Sequence, residues 1–206
     1  MEKYLSVGGR FLCRQYAPHL LLVLLFCLMS GFFVSFRNLN ASQAAKVMEM
    51  YLAFTGILLM TPLFMPEQDR EIWLLERSKA MPLWQLYLVR VLEALVFLAV
   101  VVAIFVFLMK KGGSVFPVGK LWLGAFAEIL FLGSIGFFVS GITNQAVLGY
   151  MVSVLYFVAN IGASKYLGKF ALFQMMKGDY GFAPAMSAAA LAFLGGGILI
   201  RERRQA

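Results

Sequence analysis

Three glutamates lie inside long apolar runs of this 206-residue chain: Glu49, Glu93 and Glu128. A charged side chain at the centre of a bilayer costs roughly 2.5–3.5 kcal/mol on insertion scales, so such residues mark proton, ion or substrate paths, or contacts between helices. Glu49 falls about one turn from the end of its run, where its carboxylate can reach water. Glu93 follows Arg90 by three residues, a spacing at which the two pair along one helix face. Glu128 lies about ten residues into its run and has no opposite charge near it in sequence. It has to face a cavity, pair across helices or carry a proton. That makes it the candidate for a translocation path or a subunit contact.

The other concentration of chemistry is Pro66 to Arg90, the longest charged interval in the chain. Glu67, Asp69, Arg70, Glu71, Glu76, Arg77 and Lys79 fall within it. Pro66 and Pro82 delimit a stretch that can make about three helical turns. Its acidic residues crowd the first turn and Arg77 and Lys79 the last, which suits the helix dipole. Ile72, Leu75 and Lys79 share one stripe, with Trp73 and Glu76 beside it. This is a short amphipathic element tied tightly to the apolar runs on either side.

Motifs of soluble enzymes are missing. The nearest approach to a phosphate-binding loop runs from Gly113 to Lys120. It has five residues between its glycines and Leu121 where serine or threonine is required. The chain has no HExxH and no GxSxG, and its single histidine, His19, precludes a histidine relay. Cys13 and Cys27 stand alone, without a CxxC, so neither a disulfide framework nor a metal site is expected. Asn40-Ala41-Ser42 matches a glycosylation sequon, a three-residue pattern that recurs by chance.

The elements that position these residues are membrane spans. The chain is 62% hydrophobic and 14% charged, with mean hydropathy +0.83. Its runs are long enough for helices of about 20 residues and lack the alternation of barrel strands. Six spans are expected, over 18–36, 47–65, 86–109, 118–143, 146–164 and 183–200, in a single transmembrane domain covering 1–206. Residues 1–17 read as an interfacial amphipathic helix with Lys3, Arg10 and Arg14 on one face, and not as a cleavable signal. Segment 165–182 is too polar to cross and too apolar for a solvated loop, so short re-entrant helices are expected there. Gly136/Ser140, Ala185/Ala189 and Ala192/Gly196 have helix-packing spacing. The net charge of +8 is read as helix-end lysine and arginine facing lipid headgroups, not as nucleic-acid binding.

An even number of spans puts both termini on one side. Ten basic residues then share the side of the termini and eight the other, with every arginine except Arg37 among the ten. The positive-inside rule therefore places both termini, and the Pro66–Arg90 interval, in the cytoplasm of a multi-pass cell-membrane protein.

The order proline, acidic helix, Leu74-Leu75-Glu76-Arg77-Ser78-Lys79, Pro82 and basic Arg90 resembles the loop between the second and third spans of ABC-2 type permeases. These are the membrane subunits of ATP-binding cassette exporters. The resemblance implies an all-α ABC-2 fold in which residues 66–82 form a cytoplasmic coupling loop. Glu67, Asp69, Glu71, Ile72, Leu75, Glu76 and Lys79 would contact a separate ATPase, which would bind the ATP. It also implies a second permease subunit, no cofactor in this chain and no catalysis by it. Residues 1–17 would be the connecting helix, and 165–182 the extracellular re-entrant element. The short chain favours a hydrophobic or amphipathic substrate, such as a peptide, an antimicrobial peptide or a drug. The alternative is a stand-alone proton-coupled transporter or membrane enzyme that uses Glu128.

Overall fold

A computed structural model describes residues 16–68, 83–163 and 166–205, and among them every regular element is helical. In chain order we call the helices α1 (Ala17–Phe33), α2 (Ala41–Gln68), α3 (Leu83–Lys111), α4 (Val118–Thr143), α5 (Ala146–Ala163) and α6 (Ala183–Gln205). By length and composition α2, α3, α4 and α6 can each cross a membrane. Two further apolar helices, α1 and α5, are shorter. The expected interfacial helix lies almost wholly outside the described residues, as does most of the 66–82 loop.

The second helix begins earlier than its apolar run suggests. Residues 41–46 look like part of a polar loop, yet they form the first turns of α2. The cause is local. The Asn40 side chain accepts from the Gln43 amide at 2.9 Å, and the Gln43 side chain accepts from the Asn40 amide at 3.1 Å. This reciprocal box satisfies two amides that a helix start would otherwise leave bare. Asn40 is thus a helix cap in this structure. At the other end Pro62, which cannot donate to the helix ladder, coincides with a change from α to 3-10 geometry over Thr61–Phe64.

α4 is the axis of the bundle. It packs most extensively on α2 and α6, then on α5, and more lightly on α3. The approach to α2 and α5 is close enough to need glycine. A Cβ on Gly56 would run into the Ile129 carbonyl of α4. A Cβ on Gly136 would meet the Thr61 hydroxyl of α2 and, at 2.8 Å, that of Ser153 in α5. Ser140, one turn on from Gly136, donates to the Thr61 carbonyl at 3.2 Å. The Gly136/Ser140 pair therefore works within this chain. In α6, Ala185 and Ala189 are half-buried, and Gly196 backs onto the Phe138 ring.

The outer faces are apolar. On α3, Leu88, Leu92, Val96, Val100 and Ile104 recur every fourth residue and are all exposed. On α5, Val147, Met151, Leu155, Val158 and Ile161, three or four residues apart, are likewise exposed. Soluble monomers do not expose continuous stripes of this kind. This is the surface of a helical membrane protein. α1 is peripheral, touching mainly the middle of α2 and leaving Leu21, Leu25, Leu28 and Phe32 outward.

The glycine contacts give a direct test of the packing. Gly56→Ala should destabilise the bundle by about 1–3 kcal/mol, the usual cost of overfilling a close-packed interior. Gly162→Ala, where nothing lies within 4 Å of the added carbon, should be neutral or slightly stabilising. Thermal unfolding of the two variants in one detergent checks both.

Candidate functional site: a buried acid pair beneath a latched loop

Residues 166–182 do not form an α-helix. They make two 3-10 turns, Gly168–Phe170 and Met175–Lys177, and fold back over the end of the bundle. Irregular backbone next to apolar helices needs partners for its amides. Side chains of α2 and α5 supply them. Tyr156 donates to the Phe170 carbonyl at 2.7 Å, and Asn160 accepts from the Leu172 amide at 2.9 Å. Ser42 donates to the Met176 carbonyl at 2.9 Å.

The strongest of these contacts comes from Glu49. One carboxylate oxygen accepts from the Met175 amide at 2.6 Å and the other from the Met176 amide at 3.2 Å. Both donors sit at the start of the second 3-10 turn, where backbone amides lack intrahelical partners. A charged acceptor makes such bonds roughly twice as strong as neutral ones. Lys177 adds favourable charge from the same turn. Glu49 therefore serves as the latch of the loop.

Its position corrects the expectation that it reaches water. Glu49 is 0% exposed. Two features bury it. The helix starts at Ala41, so Glu49 lies about 12 Å along α2 at 1.5 Å per residue, and the loop closes over it. Residues Met48–Leu52 also form a π-helical turn, with the Ala53 amide bonding five residues back to Met48. Such a turn shifts the register of the helix face, and π-bulges gather at functional positions.

Glu128 lies at a similar depth, about 15 Å along α4 from Val118. It is 1% exposed, and neither of its carboxyl oxygens has a hydrogen-bond partner. The Phe173 backbone is the polar group beside it, without a completed bond. Glu49 is its nearest titratable neighbour, and the Tyr156 phenol lies near it as well. Phe173 carries φ of +65°, a left-handed conformation that is strained for an aromatic residue. Its ring packs on Phe157 of α5 at 5.3 Å between centroids. Farther out, burial and the Glu49 charge together hold the Tyr180 phenol above its ordinary range.

The opposite end of the bundle is held by arginines. Arg90 of α3 is 2% exposed and forms an ion pair with Glu67, itself 4% exposed, while donating to the Leu63 carbonyl at 3.2 Å. This replaces the expected pairing of Arg90 with Glu93. The reason is geometric: the end of α2 turns Glu67 inward against the second turn of α3. Glu93 is half-buried and senses the Arg90 charge, but it makes no ion pair among the described residues. Arg201 of α6 donates to the Asn144 side chain and lies 5.6 Å above the Phe64 ring. Asn144 adopts the left-handed conformation that ends α4.

Of the candidate ATPase-contact residues, Glu67 is thus turned into the protein. Asp69, Glu71, Ile72, Leu75, Glu76 and Lys79 lie outside the described residues. Among the described residues no three histidine, cysteine or acidic side chains come together as a metal site. What sequence reasoning missed was the meeting of Glu49 with Glu128 under the loop. The Asn40-x-x-Gln43 capping pattern is the signal that would have set Glu49 deeper.

Comparison with known proteins returned no match to a protein-family model, to a curated protein or to a solved structure.

The arginine end yields a double-mutant test. Breaking a buried ion pair by removing one partner typically costs about 3–5 kcal/mol, whereas replacing both with apolar residues is often close to neutral. Glu67→Met and Arg90→Met should each lower the unfolding temperature sharply in detergent. The double variant should recover much of the loss, as measured by a double-mutant cycle.

Proposed function

We propose that this chain is the membrane-spanning subunit of an ABC-2 type exporter. It would cross the cell membrane six times with both termini in the cytoplasm. α1 and α5 then complete the set of spans, and residues 1–17 lie along the inner surface. The observation that carries this reading is the buried Glu67–Arg90 ion pair. It clamps together the ends of α2 and α3 on either side of residues 69–82. A segment mounted on two clamped helices passes any force applied to it into both of them. α2 in turn packs on α4, so a pull at this loop is felt along the axis of the bundle.

The sequence supports the same reading. The Leu74–Lys79 motif between two prolines is similar to the coupling loop of the family, and the chain contains no phosphate-binding loop of its own. A separate ATPase supplies the energy by docking on Asp69, Glu71, Ile72, Leu75, Glu76 and Lys79. A second permease subunit, identical or not, completes the path, and the substrate is hydrophobic or amphipathic. A second reading draws on one specific observation, the lack of any hydrogen bond to the buried Glu128 carboxyl. In that reading the chain is a proton-coupled transporter working without an ATPase.

Purification from native membranes separates the two. On the first reading an ATPase co-purifies. Leu75→Asp combined with Glu76→Arg then abolishes its stimulated ATP hydrolysis while leaving membrane insertion intact. Hydrolysis that is unchanged by the double substitution overturns the coupling assignment. Recovery of no ATPase, with transport that needs a proton gradient and Glu128, favours the second.

A further inference from the structure

We propose that Glu49 and Glu128 form a one-proton site inside the bundle, with the proton on Glu128 and the Glu49 carboxylate free to latch segment 166–182. The assignment of the two roles rests on hydrogen bonding. Glu49 accepts a backbone N–H on each oxygen, so both oxygens are already engaged as acceptors. That is the pattern of an ionised carboxylate. Glu128 receives no hydrogen bond on either oxygen and is buried at the core of α4. An ionised carboxylate in such surroundings, beside a second negative charge, is strongly disfavoured. The neutral acid removes both penalties. The proton is taken from hydronium, leaving water, and forms an O–H bond on one Glu128 oxygen.

The ligand is a proton and not a metal cation because the oxygens are too few. Calcium takes six to eight oxygen ligands and magnesium close to six. Here two carboxyls, the Phe173 backbone and the Tyr156 hydroxyl are the polar groups on hand; the loop engages the Glu49 oxygens, and the Tyr156 hydroxyl donates to the Phe170 carbonyl. The charged and titratable groups facing the pair are few. α5 contributes Tyr156, and the loop contributes Lys177 and Tyr180. α3 and α6 carry their charges toward their ends, at Arg90, Glu93, Lys110 and Lys111, and from Arg201 onward. None of them offers Glu128 a counter-ion among the described residues.

The site and the loop are mechanically linked. If Glu128 loses its proton, two negative charges share one dry interior. The relief that keeps both ionised is to let water in, by freeing the loop from Glu49. Phe173, strained in its left-handed conformation over Glu128, is the residue that gains from such a release. Occupancy of the proton site therefore sets how firmly segment 166–182 is closed. This holds whichever energy source drives the protein, and the test below does not depend on an ATPase.

The experiment combines infrared spectroscopy and amide exchange on the full chain in lipid nanodiscs at neutral pH. Wild type should show the C=O band of a weakly hydrogen-bonded carboxylic acid. The band should disappear in Glu128→Gln and persist in Glu49→Gln. The Met175 and Met176 amides should be protected in wild type and in Glu128→Gln, whose amide mimics the neutral acid. In Glu49→Gln, which presents a donor to two donors, they should exchange at least about tenfold faster. Glu49→Asp, one methylene too short to reach both amides, should loosen the loop likewise and serves if Glu49→Gln does not fold. A wild-type spectrum without the band, or a band that survives Glu128→Gln, overturns the proton assignment. Unchanged exchange in both Glu49 variants overturns the latch. Protection that requires sodium or calcium and ignores pH overturns the choice of ligand.

Discussion

Along most of this chain there is no water to satisfy a polar group. Every buried carboxylate, guanidinium and non-helical amide must find its partner within the protein. The hydrogen bonds from Met175 and Met176 to Glu49 are the clearest consequence. A loop without helical hydrogen bonds needs acceptors, and a carboxylate sunk into α2 needs donors. Each solves the other's problem. The remaining contacts of the loop, from Ser42, Tyr156 and Asn160, extend the same solution across α2 and α5.

The opposite end obeys the same constraint with the charges exchanged. Arg90 is too deep to reach solvent and is met by the Glu67 carboxylate and the Leu63 carbonyl. Arg201 is met by the Asn144 side chain and the Phe64 ring. Between these two polar ends the bundle is held by shape. Gly56 and Gly136 bring α2, α4 and α5 to backbone contact, so hydroxyls such as Thr61, Ser140 and Ser153 come within reach of neighbouring helices. The polar ends thus belong to one tightly packed body with α4 at its centre.

Against this frame, Glu128 stands out. Every other buried charged group in the described core has a partner or an opposite charge near it. Glu128 has the like charge of Glu49 beside it, and the one backbone group that approaches it, at Phe173, falls short of hydrogen-bonding geometry. A carboxyl in that position contributes nothing to stability as an anion. It lies directly beneath the loop that Glu49 latches.

Much was readable from residue order, and the reasons are physical. Apolar runs such as Leu86–Met109 are too long and too uniform for anything but membrane helices, so the all-helical, membrane-embedded class follows from composition alone. The Gly112–Pro117 stretch marks the break between α3 and α4, since paired glycines favour a turn and proline cannot donate to a helix ladder; Pro66 reads as the end of the second span, and α2 runs two residues past it in 3-10 geometry. The depth of Glu49 was only partly readable: the Asn40-x-x-Gln43 cap marks the start of α2, whereas the π turn that changes its face and the loop that closes over it leave no mark in residue order. The choice of Glu67 over Glu93 as the partner of Arg90 was not readable. Sequence spacing ranks neighbours on one helix, whereas the ion pair joins two helices whose separation depends on how α2 and α3 pack. Residue order dictates which side chains must leave water. Which of them meet depends on the packed bundle, because the partner of a buried charge is set by helix register and rotation, and neither is written into any single span.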